Sequence, residues 1–229
     1  MIEISNLKKS FDNGEKKKYV VDNISFSIKK GEFVSILGPS GSGKSTLLNL
    51  ISGLEKADSG VISFDDENIT NYNDTELTDF RRRKTAYVFQ SYYLLPTINV
   101  LSNIKMGANL TKGIDVKEII DSLGLSGFEK KFPYQLSGGE QQRVSIARAI
   151  AKNPEVLFCD EPTGALDEKT GREVMKYLLN IQKEKKITLI MVTHNENLAK
   201  LSDRIIKMNS GKVILDTINE PSKLEEIGW

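Results

Sequence analysis

The chain has 229 residues, of which 39% are hydrophobic and 28% are charged, and its formal net charge is +1. This composition is that of an ordinary globular protein with a buried core. The small net charge argues neither for nor against a polyanionic partner. The single cysteine, Cys159, excludes an internal disulfide and favours a cytoplasmic compartment, and no apolar run approaches the ~20 residues that cross a bilayer.

The predicted elements alternate between strands and helices at both ends of the chain. Strands are predicted at residues 2–7 (an edge strand), 20–28, 33–37, 61–64, 85–89, 156–159 and 187–192. Helices are predicted at 47–53, 76–83, 139–153 and 169–183, and residues 8–19 are predicted as a polar loop. Residues 91–125 favour helices and loops, and a short polar tail is predicted after the last strand and helix. The pattern indicates an α/β core that a mainly helical insert interrupts.

A glycine-rich turn at residues 38–46, Gly-Pro-Ser-Gly-Ser-Gly-Lys-Ser-Thr, lies between a predicted buried strand and a predicted helix. We call it the phosphate loop. Its glycines let successive N–H groups turn toward one small volume, and the helix start adds the positive end of its dipole. Lys44 supplies a cation for the outer phosphates, and the Ser45 hydroxyl is a predicted Mg²⁺ ligand. Because the flanks are correct, a nucleoside triphosphate site is favoured over a merely flexible loop.

The apolar run at residues 156–159 ends in two acids, Asp160 and Glu161. Ligands of open α/β sheets bind at the carboxyl ends of the strands, where these acids are expected. Asp160 is predicted to help hold Mg²⁺, and Glu161 is predicted to be the base that deprotonates the attacking water. Such a run is also a common surface feature, but with a phosphate loop in the same chain the functional interpretation is favoured.

A second Ser-Gly-Gly turn, at residues 137–139, opens a predicted helix. Bare N–H groups and the helix dipole again favour a phosphate there, so one chain carries two anion nests. Gln90 and His194 each follow a predicted strand. His194, the only histidine of the chain, is predicted to contact the γ-phosphate, although a lone histidine is more often structural.

Together these motifs resemble the ATP-binding subunit of an ABC transporter, in the order of that family and over essentially the full chain. They comprise residues 38–46, Gln90, 136–141, 160–161, 164–167 and His194. The resemblance implies an α/β fold, with a P-loop NTPase (RecA-like) core, an antiparallel β subdomain and a helical insert. It places the core at about residues 1–90 and 154–229, and the helical subdomain at about 91–153.

The same resemblance implies an ATPase, converting ATP and water to ADP and phosphate, with ATP and Mg²⁺ bound. The implied catalytic residues are Glu161, His194, Gln90 and Lys44. The implied ATP contacts are Phe11, Ser40, Gly41, Ser42, Gly43, Lys44, Ser45, Thr46 and Gln90, and the implied Mg²⁺ ligands are Ser45, Gln90 and Asp160. Phe11 matches an aromatic residue that stacks on adenine, where most relatives have Tyr. Tyr19 is the alternative for that role.

The resemblance also implies a homodimer in which each subunit closes on ATP held by the other. The residues that act across this interface are Ser137, Gly138, Gly139 and Asp167. Position 140 is Glu where many relatives have Gln. We expect no effect of this change on phosphate binding, because the serine and the glycine amides bind the phosphate.

Residues 79–90 and 160–167 most resemble the LolD-like and MacB-like branch of the family. Such subunits pair with FtsX-like permeases, which implies a location at the cytoplasmic face of the cell membrane and a role in export or signalling. The residues after Gln90, 92–95, either dock such a permease or pack in the helical insert. An FtsE-like role in cell division is the alternative, and a soluble nucleic-acid ATPase is disfavoured because the chain lacks a long coiled coil and zinc-binding cysteines.

Overall fold

A computed structural model describes residues 1–12, 17–111 and 115–229. Its strands are β1 (Ile2–Asp12), β2 (Lys17–Ile28), β3 (Phe33–Leu37), β4 (Ser59–Phe64), β5 (Glu67–Asn68), β6 (Thr85–Val88), β7 (Val156–Asp160), β8 (Thr188–Thr193), β9 (Arg204–Asn209) and β10 (Lys212–Ile218). Its α-helices are α1 (Lys44–Ile51), α2 (Asp74–Lys84), α3 (Val100–Ala108), α4 (Val116–Ser122), α5 (Gly138–Ile150), α6 (Glu168–Lys185) and α7 (Glu196–Ala199).

The chain divides into two compact units. One unit combines Met1–Arg81 with Thr188–Trp229, and the other is Arg82–Ile187. Among the described residues, no helix has both the length and the apolar character needed to cross a membrane.

The first unit contains a four-stranded antiparallel sheet in the order β2-β1-β4-β5. Strand β1 pairs on both sides, with Ile2 opposite both Ile28 and Phe64, so the prediction of an edge strand was wrong. The predicted antiparallel subdomain corresponds to this sheet.

The polar loop predicted at residues 8–19 was also wrong for its described part, because β1 runs to Asp12 and β2 begins at Lys17. Residues 13–16 lie outside the described part of the chain. The pairing of β1 with β2 shifts register at three places, between Ile4 and Lys9 and again before Ser10. Each such bulge interrupts the alternation of buried and exposed side chains, so the period of two that indicates a strand is lost from the sequence.

The first unit also contains a run of strands in the order β10-β9-β3-β8. Strand β3 is parallel to β8 and to β9, and every residue of β3 and β8 is buried. A strand buried on both faces reads as a continuous apolar run, which explains why the sequence predicted both of them correctly.

Strands β9 and β10 form a hairpin where the sequence predicted a polar tail. Its turn places Ser210 at φ 47° and Gly211 at φ 79°, the pair of positive φ angles that a type I′ turn requires. The Asn-Ser-Gly-Lys sequence at 209–212 was the available signal, and the polar residues of β10, Lys212, Asp216 and Thr217, concealed it.

The second unit pairs β6 with β7 in parallel, from Thr85 opposite Val156 to Val88 opposite Cys159. Helices α3 to α6 complete it, and the predicted change to helices and loops after residue 91 is confirmed by α3 and α4. Helix α3 approaches α5 closely, since a Cβ atom on Gly107 would lie 2.0 Å from the carbonyl oxygen of Arg148. This close approach requires glycine.

Candidate active site

The phosphate loop connects β3 to α1 within the first unit. Gly41 has φ 77° and Gly43 has φ 97°, both in the left-handed region. A Cβ atom on Gly43 would lie 2.2 Å from the carbonyl oxygen of Val20, and one on Gly38 would lie 2.4 Å from that of Met208. Glycine is therefore required both for the backbone angles and for the close packing of the loop against β2 and β9.

Two buried polar groups lie in the phosphate loop. Lys44 is only 6% exposed, and its Nζ donates a hydrogen bond to the carbonyl oxygen of Pro39 at 2.9 Å. The Ser42 hydroxyl oxygen is buried and has no hydrogen-bond partner among the residues that the structure describes. Buried polar groups are usually satisfied, so this cation and this hydroxyl fit an anion that the loop is built to receive.

The rest of the loop is open to such a ligand. Ser40, Gly41 and Ser45 are exposed, and the first turn of α1 follows directly, with a glycine, Gly43, at its N-cap that provides no side-chain hydrogen bond to the turn. The donor set of the loop therefore fits the phosphates of a nucleotide, and the Ser45 hydroxyl fits a hard cation such as Mg²⁺.

A cavity of about 240 Å³ adjoins the start of the phosphate loop. Its lining includes Gly38, Pro39 and His194. His194 follows the last residue of β8, Thr193, which pairs with Leu37 at the end of β3. The parallel pairing therefore places the predicted γ-phosphate residue and the phosphate loop at the same edge of the first unit, on either side of one cavity.

Both candidates for the adenine contact are exposed aromatic residues of the β1–β2 ribbon. Phe11 is 42% exposed and Tyr19 is 45% exposed. Ser10 lies opposite Tyr19 and Phe11 lies opposite Lys18, so the two rings project from opposite faces of the ribbon. A lysine ammonium lies over each ring, with Lys9 Nζ 5.5 Å from the Phe11 centroid and Lys8 Nζ 5.8 Å from the Tyr19 centroid.

In the second unit, Gln90 and Glu161 flank one glycine. A Cβ atom on Gly164 would lie 3.1 Å from Gln90 Nε2 and 3.1 Å from Glu161 Oε2. Glu161 has φ 46°, a conformation that costs a non-glycine residue about 1–3 kcal/mol and that concentrates at functional sites. Asp160 ends β7 immediately before it. The structure therefore brings together the predicted base and the predicted glutamine.

Cys159 lies beside these acids but is not a reactive thiol. It is fully buried in β7, and burial raises its pKa far above the usual range. Burial likewise raises the pKa of the Tyr87 hydroxyl, with a smaller contribution from Asp160. Both groups stay neutral near pH 7, in agreement with the prediction of a buried apolar role for the cysteine.

The serine–glycine segment (residues 137–139) begins helix α5. Ser137 is exposed and caps the helix: its hydroxyl oxygen accepts from the Glu140 N–H at 3.3 Å, and its own N–H donates to Glu140 Oε2 at 2.7 Å. A Cβ atom on Gly138 would lie 3.1 Å from the Tyr92 hydroxyl, and one on Gly139 would lie 1.9 Å from Thr170 Cγ2. The two glycines thus have a packing role that sequence reasoning missed.

Asp167 caps α6, which lies beside this segment. Its carboxylate accepts from the Thr170 N–H at 3.1 Å, and the hydrogen bonds from Thr170 hold its pKa below the usual value. Sequence reasoning also missed Gln142, a buried residue of α5 whose amide donates to the carbonyl oxygen of Pro162 at 2.7 Å. This bond ties α5 to the turn that follows Glu161.

The reciprocal cap at Ser137 predicts how position 140 responds to substitution. Glu140→Ala removes the carboxylate acceptor and should lower the free energy of unfolding by about 1 kcal/mol. Glu140→Gln keeps an acceptor and should lose only about 0.3–0.5 kcal/mol, from the lost charge at the helix start. Chemical denaturation of the three proteins measures both values. Equal losses in the two variants would show that charge, and not the hydrogen bond, is the contribution of Glu140.

A family model described as ABC transporter matches residues 21–164, more than half of the chain. The chain belongs to the ABC transporter family. A putative ABC transporter ATP-binding protein of Mycoplasma genitalium is 45% identical over 234 residues, covering 100% of this chain and 50% of the relative. The chain thus spans about half the length of that relative. The macrolide export ATP-binding/permease protein MacB of Mannheimia succiniciproducens is 41% identical over 227 residues, covering 96% of this chain and 35% of the relative.

Solved structures agree with this assignment. A dimeric ATP-binding cassette, MJ0796, in a post-hydrolysis state bound to ADP and Pi, has a TM-score of 0.89 and 39% identity, with 96% of this chain and 99% of that chain covered. MJ0796 is a protein of Methanocaldococcus jannaschii. The cbiO1 structure from Clostridium perfringens, part of the complex cbiONQ, has a TM-score of 0.83 and 31% identity, covering 95% of this chain and 88% of that chain.

These findings confirm three of the predictions. The chain has the P-loop NTPase fold, it is an ATP-binding cassette of the ABC transporter family, and its relatives include a MacB protein of the predicted branch.

Proposed function

We propose that this ABC cassette binds ATP with Mg²⁺ through its phosphate loop and hydrolyses it as a homodimer, so that a membrane permease changes conformation. The observation that carries the proposal is the phosphate loop itself, where buried Lys44 and a Ser42 hydroxyl with no partner in the described part of the chain lie at the start of a helix. The proposed ATP contacts are Phe11 or Tyr19 at the adenine and, at the phosphates, the residues Ser40, Gly41, Ser42, Gly43, Lys44, Ser45, Thr46 and Gln90.

The proposed chemistry divides among a few side chains. Lys44 binds the outer phosphates, and His194 contacts the γ-phosphate. Glu161 takes a proton from the attacking water, which Gln90 helps to orient; the position of both side chains beside Gly164 supports this division. Ser45, Gln90 and Asp160 would hold Mg²⁺, which neutralises charge on the phosphates when bound.

The proposed dimer uses the second anion nest. Ser137, Gly138, Gly139 and Asp167 would close on ATP held by a second copy of the chain. The exposure of Ser137 at the start of α5 supports this role, as do the dimeric structures of a cassette with 39% identity. We further propose that residues 1–90 and 154–229 act as the core that holds ATP, and that residues 91–153 act as the helical subdomain.

Removing the loop cation tests the proposal. Lys44→Ala should weaken ATP binding by about a hundredfold or more, because it deletes a charge-assisted contact to the phosphates. Titration with a fluorescent ATP analogue and release of inorganic phosphate from MgATP measure binding and turnover. Lys183→Ala, which changes an exposed lysine of α6, is the matched control. Unchanged binding in Lys44→Ala, or no phosphate release from the unaltered chain, would reject the proposal.

An FtsX-like or MacB-like permease is the proposed partner, which would place the chain at the cytoplasmic face of the cell membrane. Two observations support it. MacB, a relative with 41% identity, is described as an ATP-binding/permease protein. The second unit also exposes apolar side chains after Gln90 and in α3, namely Tyr93, Leu95 and Met106. Affinity purification from detergent-solubilised membranes, with identification of the bound multi-span protein, tests the partner. Recovery without such a protein would contradict it.

A further inference from the structure

The segment after Gln90 contains two consecutive left-handed residues. Tyr92 has φ 59° and Tyr93 has φ 46°, and neither is glycine. We call this pair the tyrosine turn. Aromatic residues rarely adopt this conformation, and two in succession persist only where the surroundings hold them.

One guanidinium holds both residues of the tyrosine turn. Arg148 Nη1 donates to the carbonyl oxygen of Tyr93 at 2.6 Å, and Arg148 Nη2 donates to that of Tyr92 at 2.8 Å. This uses the planar, two-pronged geometry that arginine has and lysine lacks. Burial also lowers the pKa of Arg148. Within the described chain, the Arg148 guanidinium binds these two carbonyl oxygens and so fixes their position.

The base of this clamp is itself fixed. Arg148 lies in the last turn of α5, where Gly107 of α3 packs directly against its carbonyl oxygen. The other end of α5 also contacts the turn, because the Tyr92 hydroxyl lies against Gly138. Tyr92 therefore contacts α5 near both of its ends.

Stacked rings extend the tyrosine turn toward the strand that carries the acids. The Tyr93 ring meets the Phe89 ring edge-on at 4.9 Å between centroids, and Phe89 stacks on Tyr87 at 4.2 Å. The centroid of the Tyr87 ring lies 6.3 Å from that of Phe158, a residue of β7 that lies two positions before Asp160. Tyr93 is at the same time 64% exposed, so one end of this row is open to a partner.

We propose that Arg148 is a positioning residue that locks the tyrosine turn to helix α5, so that the segment after Gln90 and the serine–glycine segment move as one body. The inference rests on the proposed function, since it concerns how the second anion nest is placed for ATP. Arg148 touches no ATP in this account. It sets the position of Gly138 through Tyr92.

The test compares Arg148→Gln with the unaltered chain. We expect kcat for MgATP to fall roughly tenfold, while KM and ATP binding by the monomer change less than about twofold, because only the placement of the second nest is affected. Amide hydrogen exchange should rise both at Tyr92 and Tyr93 and at Glu140 and Gln141, but not in α1. Arg83→Gln, which changes an exposed arginine of α2, is the matched control and should change none of these values.

Two further variants keep the test decisive if Arg148→Gln folds poorly. Arg148→Lys keeps the charge but not the fork, and should show a smaller loss of kcat with the same pattern of exchange. Adding Tyr93→Gly to Arg148→Lys should restore part of that loss, because glycine adopts the left-handed angle unaided. Exchange that rises in the tyrosine turn alone, or a normal kcat in both arginine variants, would overturn the inference. The exchange comparison needs no turnover, so it remains informative even if the chain does not hydrolyse ATP.

Discussion

Glu161→Gln should retain ATP binding and lower the turnover number by a factor of about a hundred or more. The amide keeps the size and hydrogen-bonding reach of the carboxylate but cannot accept the proton of the attacking water. Binding is expected to survive because most of the proposed phosphate contacts come from the phosphate loop, and the side chain of Glu161 lies beside Gln90 and Gly164 in the other unit.

Single-turnover hydrolysis and equilibrium binding, measured on the same preparation, separate the two effects. Glu184→Gln makes the same chemical change at an exposed position of α6 and should leave both unchanged. Hydrolysis by Glu161→Gln within about threefold of normal would assign the base to another residue. A parallel loss of binding would instead show that position 161 supports the nucleotide site structurally.

The parts of this molecule that the sequence predicted well are those whose signal is local. The phosphate loop, with strand β3 before it and helix α1 after it, occupies one short contiguous stretch. Asp160 is the last residue of a strand that is buried throughout its apolar part, and Glu161 follows it, so their position at the carboxyl end could be predicted from neighbouring residues alone.

The parts that the sequence missed depend on contacts between distant residues. The bulges of β1 arise from pairing with β2 and β4, and nothing in residues 4–10 indicates them. The need for glycine at 139 comes from Thr170, thirty-one positions later, and was attributed to anion binding alone. The buried bond from Gln142 to Pro162 likewise joins two elements, so no periodic pattern carries it.

Ser137→Arg should abolish ATP-dependent dimerisation while leaving ATP binding by the isolated chain within about threefold of normal. The proposed nest has room for a small hydroxyl beside the glycine amides, and a long side chain at this exposed position would occupy the space of the partner's phosphates. In the proposed function the isolated chain holds ATP through its own phosphate loop, so its binding should not depend on Ser137. The loss of the helix cap costs about 1 kcal/mol, which the fold tolerates.

The molar mass is measured by light scattering with ATP in the Glu161→Gln background, where ATP hydrolysis should be too slow to dissociate the dimer. Ser137→Asp keeps a good helix cap but adds a negative charge. Its effect on dimerisation therefore does not come from the loss of the cap. Both variants should remain monomeric with ATP, because one blocks the nest by size and the other repels phosphate. Ser126→Arg places the same bulk on another exposed serine of the second unit and should dimerise normally. Dimerisation of both Ser137 variants would remove the serine–glycine segment from the interface, and monomeric Ser126→Arg would show that added arginine alone prevents association.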